Sequence, residues 1–168
     1  MKITLIISAV LAVVLLAAPA YSAGTLTITP AKPTVTSKLT FSYTPDKKFA
    51  GTASKLVAAV YIFNEAEAQP TAYEVSLESD KAKKSYTGSM PVPRNAVFAL
   101  IKVGDGKQYD NNDEKFWEQL IHIGTGFPVK GANVRAAVSL FGSLPEPCRR
   151  RADLIRAKEF LKDEVTYY

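Results

Sequence analysis

Between Gly24 and Ile123 the chain is a succession of short segments in which apolar and polar residues alternate, with prolines in the gaps. Thr25-Leu26-Thr27-Ile28-Thr29 alternates without a break, and so does Leu39-Thr40-Phe41-Ser42-Tyr43-Thr44. Five further segments run over 56–63, 72–78, 84–90, 97–103 and 116–123. Pro30, Pro33, Pro45, Pro70, Pro91 and Pro93 lie between them, where a missing N–H removes no ladder hydrogen bond. A period of two is the geometry of strands. Seven such segments separated by turn residues predict an all-β immunoglobulin-like two-sheet sandwich rather than βαβ units.

The outer faces distinguish two kinds of strand. In the segments at Thr25, Leu39 and Ala72 one face is apolar (Leu26 and Ile28; Phe41 and Tyr43; Tyr73, Val75 and Leu77), while the other carries Thr, Ser and Glu and meets water. The segments at Leu56, Val97 and Phe116 are apolar on both faces, so something has to cover their outer side. Phe41, Val60, Ile62, Val75 and Ile101 are expected to meet in the interior. A cover follows at 131–141, where Val134, Ala137, Val138 and Phe141 take helical spacing and Gly142 supplies a stop. A second helix is predicted from about Arg149 to Val165, with Leu154, Ala157, Leu161 and Val165 as its stripe.

Composition narrows the function classes. Of 168 residues 47% are hydrophobic and 22% charged, which excludes a disordered chain. The net charge of +5 is too small and scattered for a nucleic-acid binder. One His and one Cys leave no zinc site, disulfide framework or CxxC redox pair. Lys2, the apolar run Ile3 to Ala18 and the small-x-small triplet Ala20-Tyr21-Ser22 have the order of a secretory signal. The run is too short and broken for a membrane span, so the mature chain is expected to begin near Ala23 and to be periplasmic or extracellular, with no integral membrane segment after cleavage. Cys148 is then an unpaired thiol in an oxidising compartment, read as a small packed residue.

Asp110-Asn111-Asn112 followed by Phe116-Trp117, then Phe127-Pro128-Val129-Lys130-Gly131-Ala132 leading into a small-residue helix and a charged amphipathic helix, carry a resemblance. Over roughly 25–168 the chain resembles the region upstream of the thioredoxin domain in secreted bacterial thiol-disulfide oxidoreductase-like proteins. The resemblance implies a β-sandwich and a helical linker ahead of a thioredoxin fold whose CxxC does the redox chemistry. This chain contains no CxxC, so redox activity does not carry over. The expected organisation is a signal peptide over 1–22, a sandwich over 23–125 and an incomplete helical connector over 126–168, truncated before a thioredoxin domain.

Read singly, the chemical candidates are thin. The stretch Asp105 to Glu114 is rich in oxygen ligands, but Lys107 and Tyr109 break the spacing of a calcium loop, so an Asx-rich turn is expected there. His122 has no partner for metal or nucleophile chemistry and reads as a packed or surface histidine. Trp117 is a core or interface aromatic. Asp80 to Lys84 and Arg149-Arg150-Arg151 read as a solvated hairpin tip and a solvated helix start, or as contacts to an anionic surface. Asp110 with Glu114 is the one imaginable acid/base pair, without nucleophile or cofactor motif.

The sequence therefore predicts a non-catalytic, cofactor-free accessory module that contacts a protein partner or a missing downstream domain through Leu154, Leu161, Tyr167 and Tyr168. The alternative is a stand-alone carbohydrate-binding or adhesive sandwich acting through Tyr109, Phe116 and Trp117. Exposed rim aromatics favour the alternative, and aromatics buried under the helices favour the module.

Overall fold

The computed structural model describes residues 23–46, 55–80, 84–124 and 126–168. The expected leader, 1–22, and the centre of the Asp80–Lys84 cluster lie outside them. The described strands are β1 (Thr25–Thr29), β2 (Lys38–Thr44), β3 (Lys55–Asn64), β4 (Thr71–Asp80), β5 (Ser85–Pro91), β6 (Ala96–Gly104), β7 (Tyr109–Asp110) and β8 (Trp117–Leu120). Two helices follow, α1 (Ala132–Ser139) and α2 (Leu154–Tyr167). All seven expected segments are strands; the last is shortened, and the brief β7 emerges from the stretch read as a turn.

The strands form one antiparallel sheet in the order β1-β2-β5-β4-β3-β6-β7, with β8 also on β6. β4 lies along β3 from Thr71 to Glu78 but meets β5 only at Glu78 to Asp80. The two faces expected of a sandwich are thus arms of a continuous sheet that curls on itself. Its far ends meet through side chains: Asp110 Oδ2 accepts from the Gly24 N–H and the Tyr43 hydroxyl, each at 2.7 Å. Thr34 forms a parallel bridge to His122, whose N–H donates to the Pro33 carbonyl at 2.7 Å. Inside the curl lies a cluster that includes Leu39, Phe41, Tyr43, Leu56, Val60, Ile62, Val75, Leu77 and Ile101. The residues expected to meet in the interior all belong to it. At roughly 25 cal/mol per Å² of apolar area removed from water, such burial is the main favourable term in folding.

A second cluster sits on the opposite face of β3 and β6. Tyr61, Phe63, Phe98 and Leu100 pack there against Ala132 and Ala136 of α1 and against Leu144 and Cys148 of the connector. This is the cover that the doubly apolar strands demanded, but each helix presents a different face from the one expected. Val134 and Phe141 of the α1 stripe are 37% and 47% exposed, and the buried residues are Ala132, Asn133, Ala136, Ala137 and Ser139. Small side chains let the helix backbone approach an outer sheet face already filled by aromatics. α2 begins at Leu154, not Arg149, because 145–153 is an irregular connector tied down by Arg151 N–H to the Glu114 carbonyl and Asp153 N–H to the Leu140 carbonyl. Asp153 caps it, accepting from Arg156 N–H at 3.0 Å. Of its expected stripe only Ala157 is buried; Phe160 and Glu164 complete the packed face.

Candidate interaction site

The two ends of α1 are held by ionic side chains from outside the helix. α1 has no side-chain cap of its own. Its first N–H groups are taken by Glu164 of α2, which accepts from Gly131 N–H at 2.6 Å and Asn133 N–H at 3.2 Å. At the other end Arg150 Nη2 donates to the Ala136 carbonyl at 3.1 Å and to Ser139 Oγ at 2.5 Å. An acid at the start and a base at the end of a helix complement its macrodipole.

Arg150 is also the centre of a wider network. Its Nη1 donates to the Lys115 carbonyl at 3.3 Å and to Glu118 of β8 at 2.6 Å. Glu118 receives a second guanidinium, Arg156 of α2. The Arg150 side chain is fully buried, and burial pulls its pKa below the ordinary arginine value. The expected solvated helix start is therefore corrected at its middle residue: Arg150 joins β8, α1 and the connector. Arg149 and Arg151 are exposed ion pairs with Glu146 and Asp113. Sequence reasoning missed Arg150 and Glu164. For Glu164 the signal was its spacing of seven from Ala157 on one helix face; for Arg150 every partner is remote along the chain.

The turn beneath this network is conformationally costly. Asn112, Asp113, Glu114 and Phe116 all have positive φ, between 54° and 63°, a region where bulky side chains crowd the backbone. The Asn111 side chain accepts from Glu114 N–H, and Arg151 Nη2 donates to the Asp113 carbonyl at 2.6 Å. Asp105 is a turn former too: two N–H groups, of Gln108 and Lys107, hold its carboxyl below the usual carboxylate range. Among the described residues no group of three His, Cys, Asp or Glu side chains is placed to hold a metal.

The rim aromatics contact the protein's own side chains, with Tyr109 and Trp117 half-buried. Phe116 is buried, and Trp117 packs on the interior cluster with its ring 5.8 Å from Tyr43, edge to face. Tyr109 lies under the Lys102 ammonium at 4.5 Å from the ring centroid, and Tyr61 and Phe116 complete the box at 5.5 and 5.9 Å. Lys102 also donates to the Pro147 carbonyl at 3.0 Å, and burial lowers its pKa. Burial pushes the Tyr61 phenol up to about 12. The Cys148 thiol, buried and donating to the Pro145 carbonyl at 3.2 Å, is likewise pushed up. His122 is packed in the strand bridge rather than in β8, with Nδ1 lacking a partner. Asp110 is engaged with Gly24, Tyr43 and Asn112.

The four expected interface residues divide into two pairs. Leu154 and Leu161 are 67% and 39% exposed on α2. Beside them Ile155 and Val165 are also exposed. Tyr167 and Tyr168 are exposed as well, but the Tyr167 ring leans on Phe127 with centroids 4.9 Å apart, and the Tyr168 hydroxyl donates to the Pro128 carbonyl at 2.8 Å. Both rings are thus directed back to the segment before α1. No helix among the described residues is long and apolar enough to cross a membrane. Comparison of the chain with protein-family models, with curated proteins and with solved structures gives no match.

Proposed function

We propose that this chain is an exported, non-catalytic interaction module of immunoglobulin-like sandwich type that meets a protein partner through the outer face of α2. Support for the sandwich comes from the connectivity: β1-β2-β5 form one arm and β4-β3-β6-β8 the other, and the two arms share a strand ladder only at Glu78 to Asp80. The observation that carries the functional reading is the disposition of aromatics. Tyr109, Phe116 and Trp117, which a sugar-stacking rim would have to present, are engaged inside, whereas Leu154, Ile155 and Val165 stand in solvent. Exposed apolar groups on one helix face are the usual mark of a docking surface. The resemblance to regions upstream of thioredoxin domains makes a thioredoxin-fold protein the expected partner.

A photo-crosslinking residue at Ile155 or Val165, introduced into the protein expressed in its own host, tests this. A single defined adduct, absent when the probe sits at Thr27 on the opposite arm, is the expected result, and mass spectrometry of the adduct reads whether the partner has a thioredoxin fold. N-terminal sequencing of the same material should begin near Ala23. Saturable glycan binding lost on Trp117→Ala, with no adduct at either helix position, overturns the reading.

A further inference from the structure

Next to the Arg150 network is a cavity of about 220 Å³ whose lining includes Lys115, Arg150, Arg151, Asp153 and Arg156. Four of these side chains are cations, and they arrive from three separate segments: the left-handed turn, the connector and the first turn of α2. Their acidic partners are fewer. Glu118 serves both Arg150 and Arg156, Asp113 serves Arg151, and Asp153 is occupied in capping α2. The Lys115 ammonium has no ion-pair partner among the described residues. Over these side chains four cations face three carboxylates, an excess of one positive charge at the N-terminal turn of a 14-residue helix whose dipole adds to the field.

Arg150 supplies an independent observation. Its two terminal nitrogens are fully used, on Glu118, Ser139 and two carbonyls, yet the Nε–H of this completely buried side chain has no acceptor. Proteins retain few unsatisfied buried donors without a reason. Arg150 also lines the cavity, so an anion held there lies beside a guanidinium whose Nε–H is still unpaired.

We propose that this cavity binds one tetrahedral oxyanion group, a phosphate or a sulfate, between Lys115, Arg151 and Arg156, with Arg150 behind them. Donors converging from three segments suit a ligand whose oxygens point in several directions, whereas planar carboxylates are already supplied here by Glu118 and Asp113. A volume below the ~300–1,000 Å³ of drug-sized sites limits the occupant to a small ion or a single esterified headgroup. The exposed cations give a charge-assisted clamp.

Titration of the mature protein with sodium phosphate or sodium sulfate, against sodium chloride at matched ionic strength, tests the site by NMR. Saturable shifts confined to the Arg150 Nε–H and the amides of 113–116 and 150–156 are expected. Lys115→Gln and Arg151→Gln should each weaken binding by about tenfold or more without lowering Tm, because a charge-assisted contact is lost at an exposed side chain. A parallel arm with phosphatidylglycerol vesicles distinguishes the source: saturation by inorganic phosphate assigns a free ion, and saturation by vesicles alone, abolished by Lys115→Gln, assigns a lipid headgroup. Shifts that are absent, linear or equal to those in chloride in both arms overturn the proposal. This outcome is independent of the crosslinking at Ile155 and Val165.

Discussion

Glu164 and Arg150 hold opposite ends of one helix to which neither belongs. The carboxylate of Glu164 takes the N–H groups at the start of α1, and the guanidinium of Arg150 takes the carbonyl of Ala136 near its end. Glu164→Ala is expected to destabilise the protein by about 1–3 kcal/mol, the cost of leaving such N–H groups without a partner. Glu164→Gln, which keeps one acceptor oxygen, should lose less. Urea denaturation of both variants checks the order, and equal losses would show that the negative charge, not the retained acceptor oxygen, is what holds α1.

Arg150 and Arg151 are adjacent in sequence and opposite in consequence. Arg150→Met removes the hub of a buried network and takes a donor from the Ala136 carbonyl, from Ser139 Oγ and from the Glu118 carboxylate, so a loss of about 3–5 kcal/mol is expected. Arg151→Gln breaks an exposed pair with Asp113 and should change stability by less than about 1 kcal/mol. Thermal unfolding of the two variants side by side measures the contrast.

Gly104 ends β6 where the chain must turn tightly into β7. A Cβ there would lie 1.9 Å from the Gln108 carbonyl oxygen and 2.8 Å from Tyr109 Cα, both backbone atoms that cannot swing aside. Gly104→Ala is expected to cost about 1–3 kcal/mol, as overpacking does, and to loosen β7. Faster amide exchange at Tyr109 and Asp110, with β1 and β2 exchanging faster as well through their tie to Asp110, is the accompanying signature.

Burial, with Lys32 nearby, lowers the His122 pKa below its ordinary value of 6.5. The unfolded chain then takes up a proton at higher pH than the folded protein. The stability contributed by the neutral ring is fully present above that ordinary value, and it is lost as the pH falls toward the lowered native value. Between about pH 7.5 and about pH 5.5, Tm should fall more for the native sequence than for His122→Gln. Parallel curves would assign the pH dependence to carboxylates instead.

What could be read from the sequence follows the length scale of the interactions. Period-two alternation and proline punctuation are local, and the strands at Thr25, Lys38 and Lys55 begin within a residue of where the pattern begins. The need for a cover over β3 and β6 was equally local, since Tyr61 and Phe98 sit on the second face of strands whose first face is also apolar. The packed faces of the helices were not legible. Hydrophobicity favours Leu161 and Val165, yet α2 packs through Ala157, Phe160 and an acid, because its neighbour is a small-residue helix that needs a cap. The burial of Arg150 was equally invisible, since Glu118 lies 32 residues away and Ala136 14 residues away.

Asp110 ties the start of the first strand to a point far along the chain, and that has a kinetic consequence. Gly24 and Asp110 are 86 positions apart, and the Thr34–His122 bridge spans a similar interval. Entropy lost in closing such long loops is repaid only when both ends are in place, so topologies of this kind acquire their native state slowly, in about milliseconds to seconds. During that interval Phe41, Tyr43 and Ile101 remain open to water along one seam. A chain with this connectivity spends its most aggregation-prone moments waiting for residues near 122 to close over strands made first.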